Sequence, residues 1–354
     1  MSELGPIAYD ALDGVPHPAR TERILGQSAV FQQFGEGLAR GRLHHGWLFS
    51  GPRGCGKASS AFLLAKLLLS GRWRGEIFDT PDALLDVGVA AQVSSLSHPD
   101  LLYLSRPYDQ DRKRFLTVLP VQQIRRINRF FGTTAGAGGW RICIVDAVDD
   151  MNASSANALL KNLEEPPEKS LLLLVHHGQR PVLPTIRSRC QMQPFQPLDA
   201  PTLRKMMTSI LGDPEPAQLD IAVQHAGGSV RAALQLAAGA GAQIAPTLEN
   251  LALQGGTISV EARARLADKL MGAANEQEFQ MFLRLVDQTL HNAAQKAVVE
   301  DKRGHPGLAI ASEVWDTSRR QIRDTETYNL DRRHLVLSLL RDLERIGQSL
   351  TTLS

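Results

Sequence analysis

The chain has 354 residues, with 39 basic and 37 acidic side chains and a formal net charge of +2. This near-balance argues against a chain that coats nucleic acid by itself, because such chains are strongly basic. The three cysteines, Cys55, Cys143 and Cys190, are too few and too scattered for a disulfide scaffold, and they indicate a reducing compartment. The length predicts two or three domains.

Apolar runs in the sequence are all short. None approaches the roughly 20 apolar residues that span a bilayer, and the run at 61–69 is interrupted by Lys66. The first residues are acidic and lack the basic and apolar regions of a signal peptide. These features predict a cytoplasmic protein.

The first predicted elements are a helix, a strand, a glycine-rich loop and a second helix. Residues 1–22 predict an extended leader, and apolar residues at helical spacing predict a helix over 28–40. The short apolar run at 46–50 predicts a buried strand, which a loop at 51–56 joins to a helix at 57–69. Strand, loop and helix in this order begin an α/β nucleotide-binding domain.

Alternating strands and helices continue to Pro197. Residues 71–115 are the least regular part and carry one plausible strand. The predicted elements are a strand at 100–104, a helix at 121–131, a turn at 132–139, a strand at 140–145, a helix at 154–163 and a strand at 170–175. This alternation predicts a parallel sheet that is covered on both faces.

Strand signals end after Pro197. Short helices are predicted over 200–238, and longer ones over 260–271, 276–299, 308–323 and 331–350. The predicted domains are a leader (1–22), an α/β domain (23–197), a small helical domain (198–245) and an all-helical domain (246–354). The apolar stripes of the last domain predict that it is the main oligomerisation surface.

The loop after the first strand reads GPRGCGKA, which fits the phosphate-loop pattern G-x-x-x-x-G-K-S/T except at its last position. Gly51, Gly54 and Gly56 let backbone N–H groups turn toward a phosphate. Lys57 adds a positive charge at a helix N-terminus. Ala58 stands where a Ser or Thr hydroxyl normally holds Mg²⁺. The strand and helix around the loop make a chance glycine loop the weaker interpretation.

A second motif, ICIVD, ends in Asp146 and looks like the Walker B strand, whose terminal Asp faces the metal. Active ATPases have Glu directly after this Asp to orient the attacking water, and here that residue is Ala147. Asp149 and Asp150 follow at offsets that do not provide the same geometry. The alternative role of Asp146 is to cap the next turn. The replacements at Ala58 and Ala147 together predict a retained fold with impaired hydrolysis.

Four segments resemble the clamp-loader subunits of bacterial DNA polymerase III and eukaryotic replication factor C. They are 44–51, which leads into the loop, 152–167, which ends in Glu-Glu-Pro-Pro, 185–190, which contains Ser-Arg-Cys, and 227–233, which resembles the sensor 2 segment of the lid. The similarity runs from about residue 17 to residue 240. It implies an AAA+ domain with a parallel sheet, then a helical lid and a helical collar for oligomerisation.

The resemblance implies roles for individual residues. The arginine of Ser-Arg-Cys, here Arg189, reaches a neighbouring subunit's ATP in this family as an arginine finger. Arg187 ranks second for this role. Arg231 at the sensor 2 position would contact nucleotide in an active subunit. The alternatives are a surface ion pair for Arg189 and a structural ion pair for Arg231.

The resemblance also implies partners. The chain would form one wedge of a pentameric ring with three gamma/tau subunits and one delta subunit, which opens a sliding clamp and places it on primed DNA. Within the family, the two replaced residues favour a subunit that binds ATP or ADP weakly over an active ATPase of the gamma/tau type.

Two departures from the family's pattern concern metal and catalysis. Many members bind zinc through four cysteines after the phosphate-loop helix, whereas this sequence has no cysteine between Ala58 and Trp140, so no zinc is expected. The sensor 1 position, near His176 and His177, lacks the usual Ser, Thr or Asn. A P-loop kinase is a further alternative, but the Ser-Arg-Cys and Glu-Glu-Pro-Pro segments have no role there.

Overall fold

The computed structural model describes residues 9, 11–12, 15–73, 85–132, 139–238, 241–271, 276–301, 307–328 and 330–351. The predicted turn at 132–139 and much of the predicted leader lie outside these residues. The chain divides into two compact units. The first holds residues up to Met206 together with Gly228–Val230, and the second holds Met207–Gly227 and the residues from Arg231 onward.

A five-stranded parallel sheet forms the centre of the first unit. The strands are β1 (Gly46–Ser50), β2 (Leu101–Leu104), β3 (Tyr108–Asp109), β4 (Arg114–Phe115), β5 (Arg141–Asp146), β6 (Ser170–His176) and β7 (Gln191–Pro194). The sheet order is β2-β5-β6-β1-β7, with every neighbouring pair parallel, while β3 and β4 form a separate antiparallel pair. This confirms the predicted parallel sheet.

Helices pack against this sheet. They are α1 (Ser28–Ala39), α2 (Lys57–Leu69), α3 (Val87–Ser94), α4 (Val121–Phe131), α5 (Ala153–Glu164) and α6 (Pro184–Arg187). Helix α7 (Ala200–Leu211) follows β7 and continues into the second unit. Successive side chains of a strand point to opposite faces. Leu171 and Leu173 of β6 therefore pack with α2, whereas Leu172 and Leu174 pack with α4 and α5. Both faces of the sheet are covered, as predicted.

The described part of the second unit is helical. Its helices are α8 (Pro216–His225), α9 (Val230–Ala238), α10 (Gly241–Leu253), α11 (Val260–Lys269), α12 (Glu276–Asp301), α13 (Gly307–Tyr328) and α14 (Arg332–Thr351). Helix α10 packs against α12 and α14, and α13 packs against the same two helices. This confirms the predicted helical C-terminal region. Because α10 continues across residue 245, the proposed border between lid and collar stays a prediction.

Several elements were not predicted from the sequence. Helix α3 has Gly and β-branched residues but begins at Asp86, whose carboxylate accepts the N–H groups of Gly88 and Val89 at 3.0 and 3.2 Å. This Asp cap is a sequence signal for a helix start. Strand β7 reads QMQP and pairs on one side only, with β1, so its sequence lacks the apolar run of a central strand.

None of the helices in the described part of the chain combines the length and the apolar character that crossing a bilayer requires.

Candidate nucleotide-binding site

The loop between β1 and α2 depends on glycine. Gly54 and Gly56 have φ values of 82° and 89°, in the left-handed region that glycine tolerates. Gly51 has a φ of 157°, and a Cβ built on it would lie 2.3 Å from the Phe195 carbonyl oxygen. The sequence therefore folds here into a tight turn that leads into the N-terminus of α2, where N–H groups without intrahelical partners favour an anion.

Lys57, the first residue of α2, is 3% exposed. Its ammonium donates to the Gly51 carbonyl oxygen at 2.6 Å and also to that of Pro52. Burial lowers the pKa of Lys57 to about 8, although the charges of Cys55, Asp146 and Asp149 oppose this effect. The positive charge that a phosphate would meet is therefore already engaged by the loop's own carbonyl groups.

Side chains from distant segments hold the outer part of the loop. The Gln27 amide donates to the carbonyl oxygens of Cys55 and Gln196 at 3.2 and 3.0 Å. The Ser229 hydroxyl donates to the Arg53 carbonyl oxygen at 2.9 Å, and the Val230 N–H donates to that of Gly54 at 3.0 Å. These bonds tie the loop to segments that are distant in sequence.

Asp146 stands at the end of β5, beside the ends of β6 and β1. The Tyr103 hydroxyl donates to its carboxylate at 3.4 Å, and His177 Nε2 lies 3.6 Å from its other oxygen. The next residue, Ala147, is 0% exposed. A buried methyl group thus occupies the position where an ATPase carries its water-orienting carboxylate.

Asp149 and Asp150, which follow in a 3-10 turn, are both buried and engaged. Asp149 accepts the backbone N–H groups of His177 and Gln179 at 2.7 and 2.9 Å. Burial alone would raise the pKa of Asp149, but these bonds and the nearby histidines lower it. Asp150 pairs with Arg106. Asp149 and Asp150 are thus both engaged in contacts within the chain.

The two histidines at the end of β6 are part of the same cluster. Ser50 Oγ and His176 Nδ1 lie 2.9 Å apart, and His176 Nε2 lies 2.9 Å from the Arg180 carbonyl oxygen. The parallel register places Ser50 directly beside His176. Sequence reasoning gave neither Ser50 nor Asp149 a site role. Ser50 is the last residue of β1 and Asp149 follows β5, so both lie at the carboxyl ends of parallel strands, where open α/β sheets bind their ligands.

Arg189 lies between α6 and β7, at a different edge of the first unit. Its guanidinium donates to the Thr185 carbonyl oxygen at 3.1 Å and to the Ser188 hydroxyl at 3.3 Å, and it pairs with Glu164 at 3.0 Å. Its side chain remains 37% exposed. Arg187, the second candidate, is an exposed residue at the end of α6.

Comparison with known proteins identifies the family. The family described as "DNA polymerase III, delta subunit" matches residues 26–199. Subunit tau of DNA polymerase III from Escherichia coli is 32% identical over 237 residues, which are 65% of this chain and 34% of tau. Subunit delta' from Pseudomonas aeruginosa is 33% identical over 214 residues, which are 59% of this chain and 60% of delta'. The chain belongs to the DNA polymerase III clamp-loader family.

The match to these relatives is partial, since this clamp-loader chain spans about a third of tau and about three fifths of delta'. A gamma subunit-related protein of DNA polymerase III from Thermotoga maritima has a TM-score of 0.43 and 15% sequence identity. The match covers 91% of this chain and 99% of that protein. Similarity at this level says nothing about activity.

The backbone and side chains of the loop differ in what they offer to a ligand. Gly54 and Gly56 open the backbone toward the N-terminus of α2, whereas the side chain of Ala58 has no oxygen to offer Mg²⁺. Among the described residues, no three His, Cys, Asp or Glu side chains are grouped to hold a metal. Arg231 belongs to the second unit, in the first turn of α9.

Proposed function

We propose that this chain is the delta-prime-type subunit of a DNA polymerase III clamp loader. In this role it takes part in ATP-driven loading of a sliding clamp onto primed DNA and does not hydrolyse ATP efficiently itself. The observation that carries the proposal is the buried Ala147 beside Asp146, in a site whose loop also has Ala58 in place of a metal ligand. Loss of one catalytic electrostatic group costs orders of magnitude in rate, and here two are replaced.

Nucleotide binding is a separate matter from hydrolysis. Gly51, Gly54, Gly56 and Lys57 retain the parts of a phosphate cradle, with Asp146 and Arg231 as further candidate contacts. The Lys57 ammonium is engaged by loop carbonyls, and its pKa of about 8 leaves part of it uncharged near that pH. We expect weak binding of ATP or ADP by the isolated chain. Binding that is equal in the ground and transition states does not accelerate a reaction.

The contribution of this chain to catalysis would come from Arg189. In the proposed pentameric ring with gamma/tau and delta subunits, its guanidinium would complete the ATP site of an adjacent gamma/tau subunit. An arginine supplied in trans stabilises the charge of the transferring phosphoryl group and accelerates hydrolysis by about 10³-fold or more. Support comes from its partly exposed position after the short helix α6. The ring acts in the cytoplasm.

A second candidate is an active ATPase of the gamma/tau type. Identity to the tau subunit of Escherichia coli, at 32%, is close to that with delta' of Pseudomonas aeruginosa, at 33%. Steady-state ATP hydrolysis by the isolated chain separates the candidates. We expect negligible turnover, and turnover typical of an AAA+ motor would favour the gamma/tau type.

The role of Arg189 is tested by Arg189→Ala in a complex reconstituted with gamma/tau-type and delta-type subunits and a sliding clamp. We expect ATP hydrolysis by the assembled complex to fall, since one site loses the charge that stabilises its transition state. Arg187→Ala is the comparison variant, because Arg187 lies on the same short segment and is the second candidate, and a larger fall with Arg187→Ala would assign the role to Arg187. Wild-type hydrolysis with Arg189→Ala, in a complex that still assembles, would rule out the role.

A further inference from the structure

The guanidinium of Arg189 has a fixed anchor on its own chain. One carboxylate oxygen of Glu164, the last residue of α5, lies 3.0 Å from Arg189 Nη2. The other terminal nitrogen, Nη1, donates to the Thr185 carbonyl oxygen and the Ser188 hydroxyl. A guanidinium has five N–H donors in a rigid fork. Among the described residues, the hydrogen bonds of this guanidinium use the two N–H groups of Nη1, and the contact of Nη2 with Glu164 is an ion pair, which leaves Nε for another acceptor.

The backbones that carry this ion pair are packed tightly together. A Cβ built on Gly46, at the start of β1, would lie 2.9 Å from Leu163 Cδ2 and 3.3 Å from the Arg189 carbonyl oxygen. His45 Nε2 lies 3.0 Å from the Leu163 carbonyl oxygen, at the end of α5. The start of β1 thus fixes both the end of α5 and the segment that carries Arg189. Glu164 and Arg189 are therefore held at a set separation.

We propose that Glu164 is a positioning residue for Arg189. The carboxylate of Glu164 orients the guanidinium of Arg189 so that its remaining donors face the phosphate of a neighbouring subunit. This inference rests on the proposed function of Arg189. An arginine side chain loses rotamer freedom when it binds a phosphate, and an anchor that restricts it beforehand reduces this loss. A carboxylate suits this role because its charge attracts the guanidinium through the single contact with Nη2 and leaves Nε free to bind a phosphate.

Glu165 provides a matched control for Glu164. It is the adjacent residue, it is also exposed, and its side chain makes no hydrogen bond or ion pair among the residues that the structure describes. Glu164→Gln and Glu165→Gln each remove one negative charge with almost no change in shape. A difference between them therefore reports the contact with Arg189 and not the net charge of the surface.

The experiment measures kcat and KM for ATP in the reconstituted complex with wild-type chain, Glu164→Gln, Glu165→Gln, Arg189→Ala and the double variant Glu164→Gln/Arg189→Ala. We expect Glu164→Gln to lower kcat about two- to fivefold with little change in KM, the effect of a partly exposed ion pair. Glu165→Gln should match the wild type. In the Arg189→Ala background, Glu164→Gln should have no further effect, because Glu164 acts through Arg189.

The outcomes separate this inference from the proposed function. If Arg189→Ala slows hydrolysis while Glu164→Gln equals or exceeds the wild type, the positioning role is wrong and the arginine finger stands. The positioning role is also wrong if Glu164→Gln slows hydrolysis equally with and without Arg189. If Arg189→Ala has no effect, the proposed role of Arg189 fails, and the role of Glu164 fails with it.

Discussion

At the scale of single residues, the phosphate loop shows how burial changes the chemistry of a familiar motif. Lys57 is 3% exposed, and its ammonium bonds to the carbonyl oxygens of Gly51 and Pro52. Removing an ammonium from water disfavours the charged form, which is why its pKa falls to about 8. The residue that normally contributes charge to a phosphate site here also stabilises the loop itself.

The pKa of Lys57 predicts a pH dependence of stability. Between about 8 and its ordinary value of 10.5, Lys57 carries a proton in the unfolded chain but not in the folded one, so stability rises with pH across this window. From about pH 7.5 to about pH 9.5, the free energy of unfolding of the wild type should rise by roughly 2 kcal/mol relative to that of Lys57→Met. Urea denaturation of both proteins measures this difference, and a constant difference would show that the ammonium is not buried.

At the scale of elements, the junction between β1 and α2 is held by the neighbouring edge strand. The Phe195 N–H, just after β7, donates to the Ser50 carbonyl oxygen at 2.7 Å. This bond brings the Phe195 carbonyl oxygen against Gly51, where no Cβ can be accommodated. The phosphate loop thus takes its shape from strand pairing as well as from its own glycines.

Gly51→Ala should therefore destabilise the protein by about 2 kcal/mol or more, because the added Cβ would lie 2.3 Å from a backbone oxygen that other bonds hold in place. Gly139→Ala is the matched control, since a Cβ built there meets nothing within 4 Å. Thermal or urea denaturation of the two variants gives the comparison. Equal stability of both variants would contradict the close approach of β7 to the loop.

At the scale of the whole molecule, large apolar side chains remain exposed on the helical second unit. Tyr328, the last residue of α13, and Leu330, between α13 and α14, are 71% and 52% exposed, and Val260 and Val298 are 76% and 55% exposed. Exposed apolar groups of this size are common at subunit interfaces. They support the prediction that the C-terminal helices are the main surface for assembly.

If this prediction holds, Tyr328→Glu and Leu330→Glu should each weaken assembly with the gamma/tau-type and delta-type subunits by roughly tenfold, because a charge replaces an apolar interface contact. Both side chains are exposed in the chain itself, so its folding should not change. Val87→Glu is the control, since Val87 is 85% exposed and lies in the first unit. Sedimentation of reconstituted mixtures measures the affinity, and wild-type assembly by both variants would place the interface elsewhere.

Sequence patterns located the central elements of the first unit closely. The helix predicted over 121–131 and that predicted over 57–69 have those bounds in the structure, while β5 differs from prediction by one residue at each end and β6 by one residue at its C-terminal end. These segments combine a clear apolar period with Gly or Pro at their borders. Strand β7 lacks such a pattern, and its existence depends on pairing with β1. Local sequence does not specify such a pairing.

The sequence by itself determined which chemical groups this protein lacks. The side chains of Ala58 and Ala147 have no oxygen for a metal ion or for an attacking water, and no fold can add one to those side chains. The tertiary structure alone decided which groups meet: Lys57 with its own loop's carbonyl oxygens, and Glu164 with Arg189. These contacts depend on the order β5-β6-β1-β7 and on the close packing at Gly46. Residues far apart in sequence become neighbours only when parallel strands align, and that alignment is a property of the whole sheet.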